Sequence, residues 1–148
     1  MNKFMKLAGV AALASAAFAG AANAEDREFA WSMTVGGTSD YIFRGFSQTA
    51  EDPAFQMSLD ATYGIFYAGI WGSNIDFDAA NGFNEKAEID FYAGITPTMG
   101  PVTFDLGVLY YWYPGFNDGV LGAEADYVEL KAGAKGTVAE KLALAGYV

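Results

Sequence analysis

Apolar and polar residues alternate one for one along several stretches of the chain. In residues 54–63, AFQMSLDATY, Phe55, Met57, Leu59, Ala61 and Tyr63 interleave with Gln56, Ser58, Asp60 and Thr62. A period of two sends the two sets to opposite faces of a β-strand. Residues 86–96 repeat the pattern, with Ala87, Ile89, Phe91, Ala93 and Ile95 against Lys86, Glu88, Asp90, Tyr92, Gly94 and Thr96. Residues 102–112 set Val102, Phe104, Leu106, Val108, Tyr110 and Trp112 against Thr103, Asp105, Gly107, Leu109 and Tyr111. Residues 28–36 place Phe29, Trp31, Met33 and Val35 opposite Ala30, Ser32 and Thr34. Weaker signals predict strands over 66–74, 126–135 and 142–148, for seven in all.

The connections alternate too. Tyr63-Gly64-Ile65 and residues 96–101, TPTMGP, are short and carry the Gly and Pro of tight turns. Residues 37–53, 75–85 and 114–125 are longer and rich in Asp, Asn and Gly. Short turns at one end and long loops at the other predict an all-β, antiparallel up-and-down meander. A nine-residue strand spans about 30 Å, and a tilt near 40° leaves roughly 23 Å, the height of an outer-membrane apolar band. Trp31, Tyr63, Tyr110 and Trp112 fall near strand ends, where aromatic girdles sit.

The N-terminus adds a destination. Lys3 and Lys6 precede an apolar run from Leu7 to Gly20, and Ala22-Asn23-Ala24 fits a small-x-small cleavage site. This predicts a secretory signal peptide over 1–24 and a barrel domain over 25–148. The run is too short and too Ala-rich for a membrane anchor, and acidic residues follow it rather than a basic stop. Past it no long apolar run remains for a transmembrane helix.

Composition narrows the chemistry. The formal charge is −10, and without Lys3 and Lys6 six basic residues face 18 acidic ones, or about −12. Such a surface is a poor partner for nucleic acid. The chain has no Cys and no His. It therefore lacks disulfides, thiolate metal sites, the commonest general base and the commonest metal ligand. A non-enzymatic protein without cofactor or metal is expected. Asn74, Asp76, Asp78 and Asn81 are loosely spaced like calcium ligands. They lack the Gly and Glu offsets of an EF-hand and read as a solvated loop. Paired carboxylates for glycoside hydrolysis are a weak alternative, since no two can be placed at a working separation.

Alternation does not say which face is wet. A transmembrane barrel turns the apolar rows to lipid, a lipocalin-like barrel turns them inward around an apolar ligand, and a sandwich buries one face of each sheet. The apolar rows carry large aromatics and few charges, which suits lipid. The polar rows mix acids with small residues, which suits a water-filled interior. In lipid only helices and closed barrels satisfy every backbone group.

The runs TSDYIFRGFSQT, DPAFQ, YAGIWGSNIDF, EIDFYAGI and FDLGVLYYWYPG, in this order and spacing, resemble the TorF-type porin family of Gram-negative bacteria over residues 33–148. The resemblance implies an outer-membrane β-barrel with a channel role and no assigned solute. It also implies outer-membrane lipid as surroundings, barrel-assembly machinery in transit, and small solutes or ions as cargo. Members of that family are longer than this chain. The sequence stops at Gly146-Tyr147-Val148 without the aromatic C-terminal residue that barrel-insertion signals carry. Seven is also odd, whereas single-chain bacterial barrels use even strand numbers. A barrel only partly contained in this chain is expected. A complete eight-stranded one needs a further strand in the N-terminal segment or in 114–125.

Candidate pore-lining residues follow. Arg44 lies in SDYIFRGFSQT near Asp40, Glu51 and Asp52. It reads either as a rim arginine tuning selectivity or as a local ion pair pinning a loop turned by Gly45. Asp60, Glu88, Asp90, Asp105 and Glu129 form the polar row. They read as a cation-preferring lumen or as a merely solvated face. Tyr92, Leu109 and Tyr111 in that row would fill a small barrel. A passive channel is therefore set against a non-conducting structural barrel or a soluble binder of an apolar ligand.

Overall fold

The computed structural model describes residues 14–22, 29–77, 85–115, 125–139 and 142–148. Within them every regular element is a strand. In chain order these are β1 (Ala14–Ala22), β2 (Phe29–Thr38), β3 (Ile42–Phe43), β4 (Phe46–Ser47), β5 (Ala54–Tyr63) and β6 (Phe66–Asn74). There follow β7 (Ala87–Ile95), β8 (Thr98–Met99), β9 (Val102–Trp112), β10 (Tyr127–Ala139) and β11 (Leu142–Tyr147). The long strands pair antiparallel in the order β1-β2-β5-β6-β7-β9-β10-β11, β8 adds to β9, and β3 pairs with β4. The sheet is an up-and-down meander whose described residues leave β1 and β11 as its two edges.

β5, β6 and β9 match the expected spans residue for residue, because Gly64-Ile65 and Gly100-Pro101 mark the turns. Gly64 and Gly100 both have φ +60°. Each is the first residue of a two-residue loop, between Tyr63↔Phe66 and between Met99↔Val102. That is the glycine position of a type II′ turn, whose twist suits a hairpin.

Three elements depart from expectation. Residues 37–53 hold the β3–β4 hairpin rather than a plain loop. β10 runs on to Ala139 and pairs with β11. The third is Ala14–Ala22, expected as the signal h-region, which pairs with β2 in register from Ala14↔Gly37 to Ala22↔Phe29. An unpaired β2 edge offers a row of free N–H and C=O groups, and an extended segment of small residues can satisfy them. Long strands thus number eight among the described residues.

The two faces of the sheet are inverted relative to a water-soluble sheet. Phe29, Trp31, Phe55, Met57, Leu59, Phe66, Ile70, Phe91, Leu106, Val108, Tyr110, Trp112, Val128 and Leu130 are exposed. The buried residues are largely polar or tyrosine: Thr49, Ser73, Glu85, Glu88, Asp90, Tyr111 and Tyr113. Leu130 is 81% exposed while Glu88 is 2% exposed, the reverse of the usual ranking of Leu and Glu. The apolar cluster that does exist, Ile75 with Tyr111 and Tyr113, lies at the long-loop end. Tyr41, Phe43 and Tyr127 pack against it.

Candidate functional site

The polar face is organised by rows of directly paired residues across neighbouring strands. Asp60, Gly69, Tyr92, Leu109 and Glu129 form one such row. Gly69 has no side chain, so the Tyr92 ring lies across it and its hydroxyl donates to Asp60 Oδ1. A Cβ at Gly69 would overlap that ring. Ser58 Oγ also donates to Asp60, at 2.9 Å. In the next row toward the short turns Tyr67 faces Gly94, Gly107 and Lys131. The Tyr67 ring crosses both glycines, and its hydroxyl donates to Asp105 Oδ1 at 2.8 Å. Lys131 Nζ reaches Asp105 Oδ2 at 2.5 Å and lies 5.8 Å from the Tyr67 ring centroid. Asp60 and Asp105 are therefore each held by two partners.

The remaining three carboxylates gather toward the long-loop end. Tyr41 donates to Glu88 Oε1 at 3.0 Å. Burial, and next the negative charge of Glu88, push the Tyr41 hydroxyl far above the ordinary tyrosine range, so it stays a donor. Burial and Glu88 raise Tyr113 in the same way. Glu129 accepts from Arg44 Nη2 at 2.6 Å and from the Tyr111 hydroxyl at 3.1 Å. That hydrogen bond and ion pair raise the Arg44 pKa further above its already high value. Asp90 lies between Trp71 and Tyr111, its direct neighbours on β6 and β9. Its Oδ1 is buried and meets no hydrogen-bond donor among the described residues.

The β3–β4 hairpin crosses this region from strand to strand. Tyr41 packs edge-on to Trp71 of β6 at 5.4 Å and bonds Glu88 of β7. Phe43 meets Tyr111 of β9 at 6.2 Å, and Arg44 reaches Glu129 of β10. Arg44 and Gly45 form the two-residue loop, with φ of 50° and 91°. Positive φ at both central positions is the type I′ signature, and it is uncommon for a residue with a side chain. Behind the turn Asp40 Oδ1 accepts from Ser47 Oγ at 2.6 Å and Thr49 Oγ1 at 3.0 Å. Tyr41 N in turn donates to Thr49 Oγ1 at 3.2 Å. Gln48 O accepts from Asp76 N at 2.7 Å, tying the hairpin to the segment after β6.

Every sequence-derived candidate, Arg44, Asp60, Glu88, Asp90, Asp105 and Glu129, is therefore tied to one face and its crossing hairpin. Arg44 does not pair with neighbouring Asp40, Glu51 or Asp52. Its partner is Glu129, 85 residues on, because the positive-φ turn points the hairpin tip across the sheet. Asp40 is used instead to close the hairpin. Composition gave no sign of the tyrosine-over-glycine pairs. The available signal was Tyr and Gly at like positions of the polar rows in successive strands. Asn74 is occupied by backbone, accepting from Phe55 N at 2.6 Å and donating to Pro53 O at 3.2 Å. Asp76 pairs with Lys86 at 2.7 Å, while Asp78 and Asn81 lie outside the described residues. Among the described residues no three acids converge as metal ligands.

No curated protein and no solved structure matches the chain. Residues 21–148 match the model of one family, described as bacterial protein of unknown function (Gcw_chp). That span takes in every strand from β2 to β11 and both sets of carboxylates, and the chain belongs to the Gcw_chp family.

Proposed function

We propose that the chain is an outer-membrane β-barrel protein that passes small solutes by diffusion, with a preference for cations. The observation that carries this reading is the inverted sheet: aliphatic and aromatic side chains outward, hydrogen-bonded carboxylates and tyrosines inward. In water such a surface would associate or aggregate, since soluble monomers rarely expose apolar patches of this extent. Against acyl chains the same surface is the ground state, and the inward polar groups supply one another's hydrogen bonds. Exposed aromatics also stand at both ends of the apolar face: Phe29, Tyr63 and Phe66 beside the Gly64 turn, and Tyr110 and Trp112 toward the long loops, in rows shared with the aliphatic Leu59, Ile70 and Met57. Aromatics at both ends fit a membrane-spanning strand flanked by two girdles. The resemblance to TorF-type porins implies the same location, and residues 1–24 fit export by a cleaved signal.

Cation preference rests on the inner carboxylates, since fixed negative charge in a low-dielectric bore concentrates counter-ions. The crossing hairpin narrows that bore at the long-loop end. The test is reversal potential in planar bilayers under a KCl gradient with the purified full chain. Currents that reverse toward the K⁺ potential support the reading. A folded, inserted protein without conductance favours the structural barrel, and a protein that stays monomeric without detergent favours the soluble binder.

A further inference from the structure

Glu88, Asp90 and Glu129 lie on the polar face under the hairpin, and the cation seen to reach them is Arg44, which is bound to Glu129. Glu88 is served by the Tyr41 hydroxyl and Glu129 by Arg44 and Tyr111. Asp90, only 8% exposed, keeps a buried oxygen with no donor among the described residues. A buried carboxylate is costly unless paired and hydrogen-bonded, so this oxygen calls for a positively charged donor. A multiply coordinated metal does not fit, because among the described residues the acids do not converge as ligands. The flanks of Asp90 are aromatic. Trp71 and Tyr111 are its cross-strand neighbours, within about 5 Å at Cβ by ladder geometry, and Tyr41 packs edge-on against Trp71. Ring faces attract organic cations, and Tyr111 is itself stacked on Tyr127 at 4.3 Å, which holds it in place.

We propose that Asp90, between Trp71 and Tyr111, is a binding seat for a primary ammonium group. The N–H donors answer the free carboxylate oxygen, and the attached carbon chain lies against the rings. The proposal rests on the channel reading only for how an amine reaches the seat. A site of this kind would make small amines a preferred cargo over inorganic cations.

The test is calorimetric titration of n-butylammonium chloride into the full chain folded in detergent, with KCl and tetramethylammonium chloride as comparators. Butylammonium is expected to bind at least tenfold more tightly than either, since neither comparator offers N–H donors. Asp90→Asn is expected to weaken butylammonium at least tenfold while raising the thermal midpoint, because it removes an unpaired buried charge. Asp76→Asn, which removes one carboxylate from the exposed Lys86 pair, is expected to leave binding unchanged. Equal binding of all three cations, or equal loss in both variants, would reduce the effect to general counter-ion attraction and overturn the seat. No binding by the folded wild-type chain would overturn it as well. Conductance separates the two readings: current without amine binding removes the seat alone, and binding without current removes the channel alone.

Discussion

Tyr92 and Tyr67 perform the same task at different cost. Each lies across glycine to reach a carboxylate two strands away. A hydrogen bond to a charged acceptor contributes about 1.5–3 kcal/mol, and less where the acceptor keeps another strong partner. Asp105 retains Lys131, whereas Asp60 retains the Ser58 hydroxyl alone among the described residues. Tyr92→Phe is therefore expected to lower the urea midpoint of the folded protein more than Tyr67→Phe. Equal effects would mean that Lys131 does little for Asp105. Gly94→Ala puts a Cβ into the Tyr67 ring and beside Leu106 O, and is expected to cost about 1–3 kcal/mol by overpacking. A midpoint equal to wild type would show that the ring does not rest there. At this scale the alternation placed the five carboxylates on one face with Tyr92 and Tyr111, whereas Tyr67 lies in a stretch that is apolar on both parities. Alternation could not pair them, because a contact across two strands depends on register and on which intervening residue is glycine.

The hairpin between β2 and β5 is the element with most to say about the proposed selectivity. Its tip holds Arg44 in a conformation that favours glycine, with Asp40, Ser47 and Thr49 bracing the base. Arg44→Ala removes a positive charge from the narrowed end and is expected to shift reversal potential further toward K⁺. Because Arg44 is solvent-exposed, the unfolding midpoint is expected to stay put. An unchanged reversal potential in an inserted, folded variant would reduce Arg44 to a clasp for the hairpin. Gly45 was legible as a turn residue, but two-residue strands carry no periodicity, so β3 and β4 were not. The N-terminal strand poses a different question. Composition reads Leu7–Gly20 as an export signal, while β2 accepts Ala14–Ala22 as a neighbour. Both hold if pairing occurs only before processing. Protein recovered from outer membranes is then expected to begin at Glu25 by N-terminal sequencing. A start before Ala14 would make β1 a permanent strand.

Over the whole molecule, strand order was readable because short turns and long loops alternate, and an antiparallel neighbour is the simplest partner for a short turn. Orientation was not readable, since period two is the same for a lipid-facing and a water-facing row. Exposure shows which face is covered, since Glu88 and Asp90 are buried while Leu59, Leu106 and Leu130 are not; that the open face meets lipid is the proposal. β1 and β11 stand as the sheet's edges, and removal of residues 1–24 would leave β2 in place of β1, so a spanning form needs its edges joined or covered. The three tryptophans sample both faces and both ends of the sheet. Trp31 and Trp112 are exposed on the apolar face, near the short turns and the long loops, whereas Trp71 lies on the polar face beside Asp90. Single-tryptophan variants in bilayers of phospholipid brominated along the acyl chains report which indoles touch lipid. Strong quenching of Trp31 and Trp112, with Trp71 spared, is the expected outcome. Quenching of Trp71 alone, or of none of the three, would contradict a sheet that turns its apolar face to the membrane.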